Sequence, residues 1–256
     1  MVIPTGVRKI VNDGGRERLI FALDVTDDMA AAMKWVDRLK NHVGLFKIGK
    51  EAFTRFGPAV VQAVLERGGR VFLDLKYHDI PNTVARAAEN AVALDVSMLN
   101  VHAAGGRRMM TEAMEAVRTR AARLDRPVPI VLAVTVLTSL DDDDVAEVGF
   151  SLPAGDLAVR LAVLARDAGL SGVVASPREI LPIREACGDS FVIVTPGIRY
   201  DASGADDQKR TLAPKEAVRR GADYIVVGRP IRTAPDPLAV AEAIGEEISA
   251  GLALRE

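Results

Sequence analysis

The sequence predicts an α/β protein built as one (β/α)8 barrel, and three observations support this prediction. Eight short apolar runs alternate with segments of helical periodicity over about 250 residues. The runs are nearly continuous in Val, Ile and Leu, which is typical of parallel strands buried on both faces. No linker rich in Pro, Gly or Ser divides the chain. We therefore predict a single-domain TIM barrel over residues 19–256, preceded by an N-terminal extension over residues 1–18.

The eight apolar runs are the predicted strands. In chain order they are LIFALDV (Leu19–Val25), LFKIGK (Leu45–Lys50), VFLDLK (Val71–Lys76), MLNVHA (Met98–Ala103), IVLAVTVL (Ile130–Leu137), GVVAS (Gly172–Ser176), FVIVTPG (Phe191–Gly197) and YIVVGRP (Tyr224–Pro230). The alternative is an open doubly wound sheet, which usually has a G-x-G-x-x-G turn after its first strand. The segment FALDVTDDM has no such turn, and this favours the closed barrel.

The segments between the runs carry apolar residues at helical spacing. The clearest sets are Met29, Met33 and Val36, then Leu157, Leu161, Leu164 and Ala168, and finally Ala241, Ile244 and Ile248. The acidic run Asp141–Asp144 follows the fifth strand. Carboxylates suit the positive end of a helix dipole, so this run predicts a solvated turn at a helix start.

Composition excludes several classes of function. The chain has 256 residues, of which 49% are hydrophobic and 27% charged, with a net charge of −2. This balance lacks the excess of basic residues that is typical of proteins that bind nucleic acid or an anionic membrane. No apolar run reaches the roughly 18 residues of a spanning helix, and the N-terminus has no apolar signal segment, so we expect a cytoplasmic protein. The single cysteine, Cys187, cannot form an intramolecular disulfide.

Polar residues stand at the ends of many predicted strands. In a (β/α)8 barrel the active site lies at the C-terminal ends of the strands. A barrel without a site would carry its charges on the outer helical faces. The residues in question are Asp24, Lys47, Asp74, Lys76, Asn100, His102, Thr138, Ser139, Arg199 and Arg229. Their placement predicts an active site at this end of the barrel.

The third strand carries the densest group of charges. Asp74 and Lys76 are two residues apart, so in a regular strand they share a face at roughly 6.6 Å. Lys47 on the neighbouring strand can approach Asp74, and Asp79 lies beyond the strand in the loop. Because the signs alternate, each buried charge can be compensated and Lys76 can stay protonated. A structural ion-pair network is the alternative that this pattern leaves open.

The stretch D-x-K-x-x-D-I-P-N-T, Asp74 to Thr83, resembles the signature of the orotidine 5′-monophosphate decarboxylases at seven fixed positions. Further matches are FALDV, KIG, NVHA, LTS, TPGIR and VVGRPI, so the resemblance extends from about Leu19 to Ile231. That family consists of homodimeric barrels without metal or other cofactor. They convert orotidine 5′-monophosphate to UMP and CO2, the last step of UMP biosynthesis. The resemblance implies the same fold, reaction, dimer and lack of cofactor here.

The resemblance also implies roles for the charged residues. Lys76 would stabilise a carbanion at C6 of the pyrimidine and then protonate it. Asp74 would lie near the substrate carboxylate and repel it. Asp79, with Thr83 on the ribose, would reach into the site of the partner subunit, and Lys47 would complete the catalytic set.

The substrate-binding positions carry over from the same resemblance. Asp24 and Lys47 would bind the ribose hydroxyls, and Thr138 and Ser139 would contact the edge of the pyrimidine. Pro196 is expected to contact the substrate. The phosphate would be held by Arg199, Gln208, Gly228 and Arg229. The long segment Gly197–Arg210 is rich in turn residues and is interpreted as a lid that closes over the phosphate.

Two alternative functions share part of this pattern. A magnesium-dependent sugar-phosphate decarboxylase or aldolase of the same suprafamily shares the D-x-K-x-x-D core. Such enzymes place an acidic metal ligand close to where this chain has Lys47, and a lysine there argues against Mg²⁺. A non-catalytic nucleotide-binding barrel is the second alternative, because fold alone does not establish catalysis. The complete charged array disfavours it.

Overall fold

The protein is described by a computed structural model that covers residues 14–198, 200 and 212–255. Within this part of the chain the strands form one closed parallel barrel in the order β1 to β8. They are β1 (Leu19–Ala22), β2 (Leu45–Gly49), β3 (Val71–Tyr77), β4 (Met98–His102), β5 (Ile130–Val134), β6 (Gly172–Val174), β7 (Val192–Thr195) and β8 (Tyr224–Val227). The barrel closes where Ile20 of β1 pairs with Val226 of β8. The predicted (β/α)8 barrel is confirmed.

Helices follow the strands along the described chain. They are α1 (Met29–Leu39), α2 (Lys50–Phe56), α3 (Ala59–Glu66), α4 (Pro81–Ala93), α5 (Gly106–Arg123), α6 (Asp142–Glu147), α7 (Ala154–Asp167), α8 (Ile180–Cys187), α9 (Pro214–Arg219), α10 (Arg229–Arg232) and α11 (Pro237–Leu252). The acidic run starts α6 as predicted, because Asp141 forms a capping box with Asp144. No helix of the described residues is both long and apolar enough to span a membrane.

The core forms two layers because strand side chains alternate between two faces. One set packs outward under the helices. The other set fills the barrel and consists of Ile20, Ala22, Leu45, Phe72, Met98, Leu132, Val192, Val194, Tyr224 and Val226. Lys47, Asp74 and Asn100 follow two residues after Leu45, Phe72 and Met98. Because side chains two residues apart share a face of a strand, these polar residues also face the barrel interior, nearer to its C-terminal mouth.

The opposite end of the barrel is closed by a buried ion cluster around Asp223. Its carboxylate lies 2.7 Å from Arg184 Nη2, 3.3 Å from Arg255 Nη1 and 3.8 Å from Arg18 Nη1. Asp223 also accepts a hydrogen bond from the backbone N–H of Ile193 at 2.8 Å. The cluster joins the segment before β1, the start of β8, helix α8 and the residues after α11. It is the floor of the barrel, on the side away from the predicted site.

Candidate active site

Four charged residues form a continuous row at the C-terminal mouth of the barrel. Lys47 Nζ lies 3.4 Å from Asp24 Oδ1 and 3.5 Å from Asp74 Oδ2. Lys76 Nζ lies 2.6 Å from Asp74 Oδ1. The Asp74 and Lys47 side chains are only 11% and 14% exposed, so their charges interact with little screening by water. The predicted approach of Lys47 and Lys76 to Asp74 is confirmed.

A glycine makes room for this row between two strands. The β2–β3 register pairs Gly49 with Asp74. A Cβ atom at Gly49 would lie 3.2 Å from Lys47 Nζ and 3.7 Å from Asp24 Oδ1. The missing side chain therefore leaves the space that the Lys47 ammonium group uses to lie between the two carboxylates.

The reason predicted for the meeting of Asp74 and Lys76 is wrong, because β3 is not regular at this point. The β3–β4 register shifts between two pairs, Leu73↔Leu99 and Tyr77↔Val101. Lys76 has a φ of 51°, a left-handed conformation that few residues other than glycine adopt. The two side chains are therefore brought together by an irregularity in the strand and not by the alternation of a pleat. Sequence periodicity carries no signal for such an irregularity.

Asn100 on β4 contacts both members of this pair, and no role was assigned to it from the sequence. Its Nδ2 donates to Asp74 Oδ1 at 2.7 Å, and its Oδ1 accepts from the backbone N–H of Lys76 at 2.8 Å. The residue is completely buried. A signal was present in the sequence: an amide between the apolar residues Leu99 and Val101, two residues after the inward-facing Met98.

A cavity of about 260 Å³ opens above the row. Lys47, Asp74 and Lys76 line it with charge. The remaining lining is mostly apolar and consists of Phe72, Val134, Val136, Leu137, Thr138, Val174, Ala175, Pro196 and Val226. Pockets of this kind combine apolar walls with a few convergent polar groups that fix a ligand's orientation. The arrangement can hold a flat ring against the apolar walls and present an ionised substituent to the charged row.

Most of the other predicted residues lie around this mouth. Thr138 and Pro196 line the cavity, and Ser139 is exposed beside it. Gly228 stands next to Asp24, since a Cβ atom there would lie 3.8 Å from Asp24 Oδ2. Arg229 is exposed at the first turn of α10. Two further predicted residues, Arg199 and Gln208, lie outside the described residues, as does most of the predicted lid.

Asp79 and Thr83 form no ion pair or hydrogen bond with the charged row in the described part of the chain. Both are exposed, and they lie beyond the end of β3. Asp79 Oδ1 accepts from the backbone N–H of Ile80 at 2.6 Å. Ile80 itself is 67% exposed, and Thr83 follows it in the first turn of α4. Among the described residues, no hydrogen bond or ion pair joins Asp79 to Lys47, Asp74 or Lys76.

His102 at the end of β4 is the titratable group in this region whose pKa is most clearly shifted. Its pKa is lowered from 6.5 to about 4. Burial is the largest cause, and the charges of His78, Lys50 and Lys76 contribute to the same shift. Its ring centroid lies 5.5 Å from that of His78. His102 is therefore a neutral imidazole at neutral pH.

The acidic residues at the mouth are paired with lysines. In the described part of the chain, no group of three or more His, Cys, Asp or Glu side chains is arranged to hold a metal ion. The Lys47 ammonium group lies between the carboxylates of Asp24 and Asp74. It occupies the position where a cation bound to both carboxylates would lie.

Comparison with known proteins agrees with the geometry. The orotidine 5′-phosphate decarboxylase / HUMPS family matches residues 17–244. The orotidine 5′-phosphate decarboxylase of Syntrophus aciditrophicus is 60% identical over 245 residues, which cover 95% of this chain and 98% of the relative. That of Moorella thermoacetica is 56% identical, covering 94% and 96%. The crystal structure of orotidine 5′-phosphate decarboxylase from Lactobacillus acidophilus has a TM-score of 0.80 at 37% identity, covering 91% and 99%. The chain therefore belongs to the orotidine 5′-phosphate decarboxylase / HUMPS family.

Proposed function

We propose that this chain decarboxylates orotidine 5′-monophosphate to UMP and CO2, the last step of UMP biosynthesis. The observation that carries the proposal is the row of alternating charges, Asp24–Lys47–Asp74–Lys76, whose inner members Lys47 and Asp74 are largely buried, beside a cavity with apolar walls. The names of the relatives, which are 60% and 56% identical over almost the whole chain, support the same reaction.

Lys76 carries the chemical step. The bond from C6 to the carboxylate breaks, its electron pair stays on C6, and CO2 leaves. The Lys76 ammonium group stabilises the carbanion and gives its proton to C6. The amine then regains a proton from water. Because the proton takes up the electron pair, the reaction is balanced without an electron acceptor, and we propose that it runs without metal or other cofactor.

Asp74 shapes the electrostatics of this step. Its carboxylate is 11% exposed and bonded to Lys76, Lys47 and Asn100. A substrate carboxylate placed beside it is repelled, and this repulsion is relieved when CO2 departs. The same arrangement is equally a preorganised field that favours the carbanion, since the lysines are already oriented before the bond breaks.

The remaining substrate contacts are proposed around the cavity. Asp24 and Lys47 bind the ribose hydroxyls, and Thr138, Ser139 and Pro196 contact the base. Gly228 lies beside Asp24 and precedes Arg229, whose guanidinium group can bind phosphate through two hydrogen bonds. Arg199 and Gln208 are proposed as the other phosphate ligands.

We further propose a homodimer in which each subunit completes the site of the other. Asp79 and Thr83 would act in the partner's site. Three observations support this: both residues are exposed, neither is bonded to the charged row within the described residues, and Ile80 between them is a large apolar residue that is 67% exposed. An interface over this segment would remove the Ile80 side chain from water.

The magnesium-dependent sugar-phosphate enzymes are the alternative function considered from the sequence, and the names of the relatives do not favour them. The ammonium group of Lys47 between Asp24 and Asp74 disfavours them, since it takes the place of a bound cation. Activity that survives EDTA supports the decarboxylase. Loss of activity in EDTA and its return with Mg²⁺ support the second class.

The proposal is tested by assaying the turnover of orotidine 5′-monophosphate by the purified chain. Turnover is measured as the loss of the substrate's ultraviolet absorbance and as the formation of UMP. Lys76→Ala should lower kcat by more than about a hundredfold, because the proton donor is lost. UMP should still bind, since the proposed ribose and phosphate ligands remain. Lys215→Ala is the control, because Lys215 is an exposed lysine on α9. Turnover of Lys76→Ala within about tenfold of the parent would contradict the assignment.

The cytoplasm stays the expected location, and cell fractionation checks it.

A further inference from the structure

The backbone of Lys76 needs a stabilising partner. Among the described residues other than glycine, positive φ occurs at Lys76, Asp95 and Asp125. The two aspartates directly follow the C-caps of α4 and α5, where a left-handed residue is a usual way to end a helix. Lys76 lies instead within β3. A left-handed residue at such a place persists only where its surroundings hold it there.

Asn100 provides that partner from the neighbouring strand. The Lys76 N–H bonds to Asn100 Oδ1 at 2.8 Å, at the irregularity where β3 loses its register with β4. The other end of the same amide donates to Asp74 Oδ1 at 2.7 Å. Both bonds lie in a completely buried side chain, so water does not compete for them. One planar group therefore fixes the backbone of Lys76 and the carboxylate of Asp74 at the same time.

We propose that Asn100 is a positioning residue for the decarboxylation. It holds Lys76 in its left-handed conformation and orients the Asp74 carboxylate, and so sets where the Lys76 ammonium group stands over the cavity. The inference rests on the proposed function. Without the amide, the Lys76 backbone can relax to the extended conformation of a regular strand, which turns its side chain to a different direction. A misplacement of about 1 Å in such a group can cost about a hundredfold in rate.

The test compares Asn100→Leu with the parent enzyme. Leucine has a similar volume but forms neither hydrogen bond. We expect kcat to fall about a hundredfold, while KM and the affinity for UMP change by less than about threefold because the proposed ribose and phosphate ligands do not bond to Asn100. This split separates positioning from general damage to the site. Circular dichroism and a denaturant titration establish that the variant is folded at the assay temperature.

Thr195→Val is the matched control. Thr195 is also completely buried on a barrel strand, and its Oγ1 has no hydrogen-bond partner among the described residues. Replacing it with an isosteric apolar residue should leave kcat and KM unchanged. The pair of variants therefore compares two buried polar strand residues, of which one is bonded to the charged row and the other is not.

Asn100→Asp adds a pH readout that a purely structural role would not produce. A protonated carboxyl can donate to Asp74 and accept from the Lys76 N–H, as the amide does. An ionised carboxylate cannot donate, and it repels Asp74. The groups that face it are Asp74 and Lys76 directly, with Lys47 behind Asp74 and His102 further along β4. Activity relative to the parent should therefore rise as pH falls, while the same ratio for Asn100→Leu stays flat.

The outcomes distinguish this inference from the proposed function. If the parent chain does not turn over orotidine 5′-monophosphate, the proposed function is wrong. If the parent is active and folded Asn100→Leu keeps kcat within about threefold, the positioning role is wrong. A rise in KM with unchanged kcat, or a pH-independent ratio for Asn100→Asp, contradicts it as well.

Discussion

Lys47 has two carboxylate neighbours, and this arrangement explains why buried charges can persist at the mouth of the barrel. Removing a charge from water costs several kcal/mol unless a partner compensates it. In the row, each inner member has an opposite charge on both sides: Lys47 between Asp24 and Asp74, and Asp74 between Lys47 and Lys76. The row is therefore stable as a unit, and loss of one inner member leaves two like charges facing each other.

His102 gives a pH-dependent prediction at the scale of one residue. Its pKa is lowered from 6.5 to about 4, so between these values the unfolded chain binds a proton that the folded chain does not. The free energy of unfolding should therefore fall as pH falls from about 6.5 towards 4. Glutamine cannot take up this proton. His102→Gln should accordingly lose less stability than the parent over this window in denaturant titrations.

His42→Gln is the control for this experiment. His42 does not line the cavity. Its Nδ1 lies 3.0 Å from a Glu242 carboxylate oxygen. A titration of the ring signals by NMR measures the His102 pKa directly. A value near 6.5 for His102, or equal acid sensitivity of the parent and His102→Gln, would refute the prediction.

At the scale of the elements, the strands were predictable but their ends and irregularities were not. The fifth apolar run extends to Leu137, whereas β5 ends at Val134. Residues 136–138 leave the ladder and line the cavity, where an apolar side chain is as suitable as in a strand. The shift in β3 also has no periodic signal, because it depends on the register with β4. The sequence shows that Asn100 is a polar residue in a strand. Its two hydrogen bonds could not be predicted, because they depend on the register between β3 and β4.

Two glycines should respond in opposite ways to the same substitution. A Cβ atom at Gly172 on β6 would lie 2.1 Å from the backbone oxygen of Val192, so Gly172→Ala must force β6 and β7 apart. Gly155 lies in α7 and has no atom within 4 Å of such a Cβ. Gly155→Ala should raise the free energy of unfolding by about 0.5–1 kcal/mol, because alanine favours helix. Gly172→Ala should lower it by more than about 2 kcal/mol. Equal effects in denaturant titrations would contradict the packing described for β6.

At the scale of the whole molecule, the two ends of the barrel carry different kinds of charge cluster. The mouth has the row beside the cavity, and the floor has Asp223 bonded to three guanidinium groups. The floor cluster is buried, with Asp223 only 6% exposed. In barrels of this kind, function resides at the C-terminal ends of the strands and the opposite end contributes to stability. Substitutions at the two ends should therefore separate the two properties.

Asp223→Ala tests this separation. It leaves the buried Arg18 and the partly buried Arg184 and Arg255 without their carboxylate, so the free energy of unfolding should fall by about 3–5 kcal/mol. The kcat and KM of the fraction that remains folded should stay close to those of the parent. Glu216→Ala is the control, because Glu216 pairs with Arg219 and Arg220 at the surface and should cost about 1 kcal/mol or less. A large loss of kcat in folded Asp223→Ala would show that the floor acts on the site.

Exchange of subunits tests the proposed dimer. Lys76→Ala and Asp79→Ala are each expected to be inactive. If Asp79 acts in the partner's site, a mixed dimer has one site with both defects and one intact site. Random exchange makes half of the dimers mixed, so about a quarter of the parent activity should return. Each variant exchanged with itself is the control and should regain nothing. If activity after proven exchange stays at the level of the two inactive variants, Asp79 acts within its own chain.

The closure of the barrel also has a consequence for how the chain reaches this state. Strand β1 pairs with β2, which is near in sequence, and with β8, which begins at Tyr224. Contacts between such distant segments form slowly, since a long loop must close first. Until β8 arrives, β1 and the last strand to form each present an open edge with unpaired backbone groups. Such edges are templates for pairing with other chains. The yield of refolding should therefore fall as protein concentration rises, even though the finished barrel has no edge.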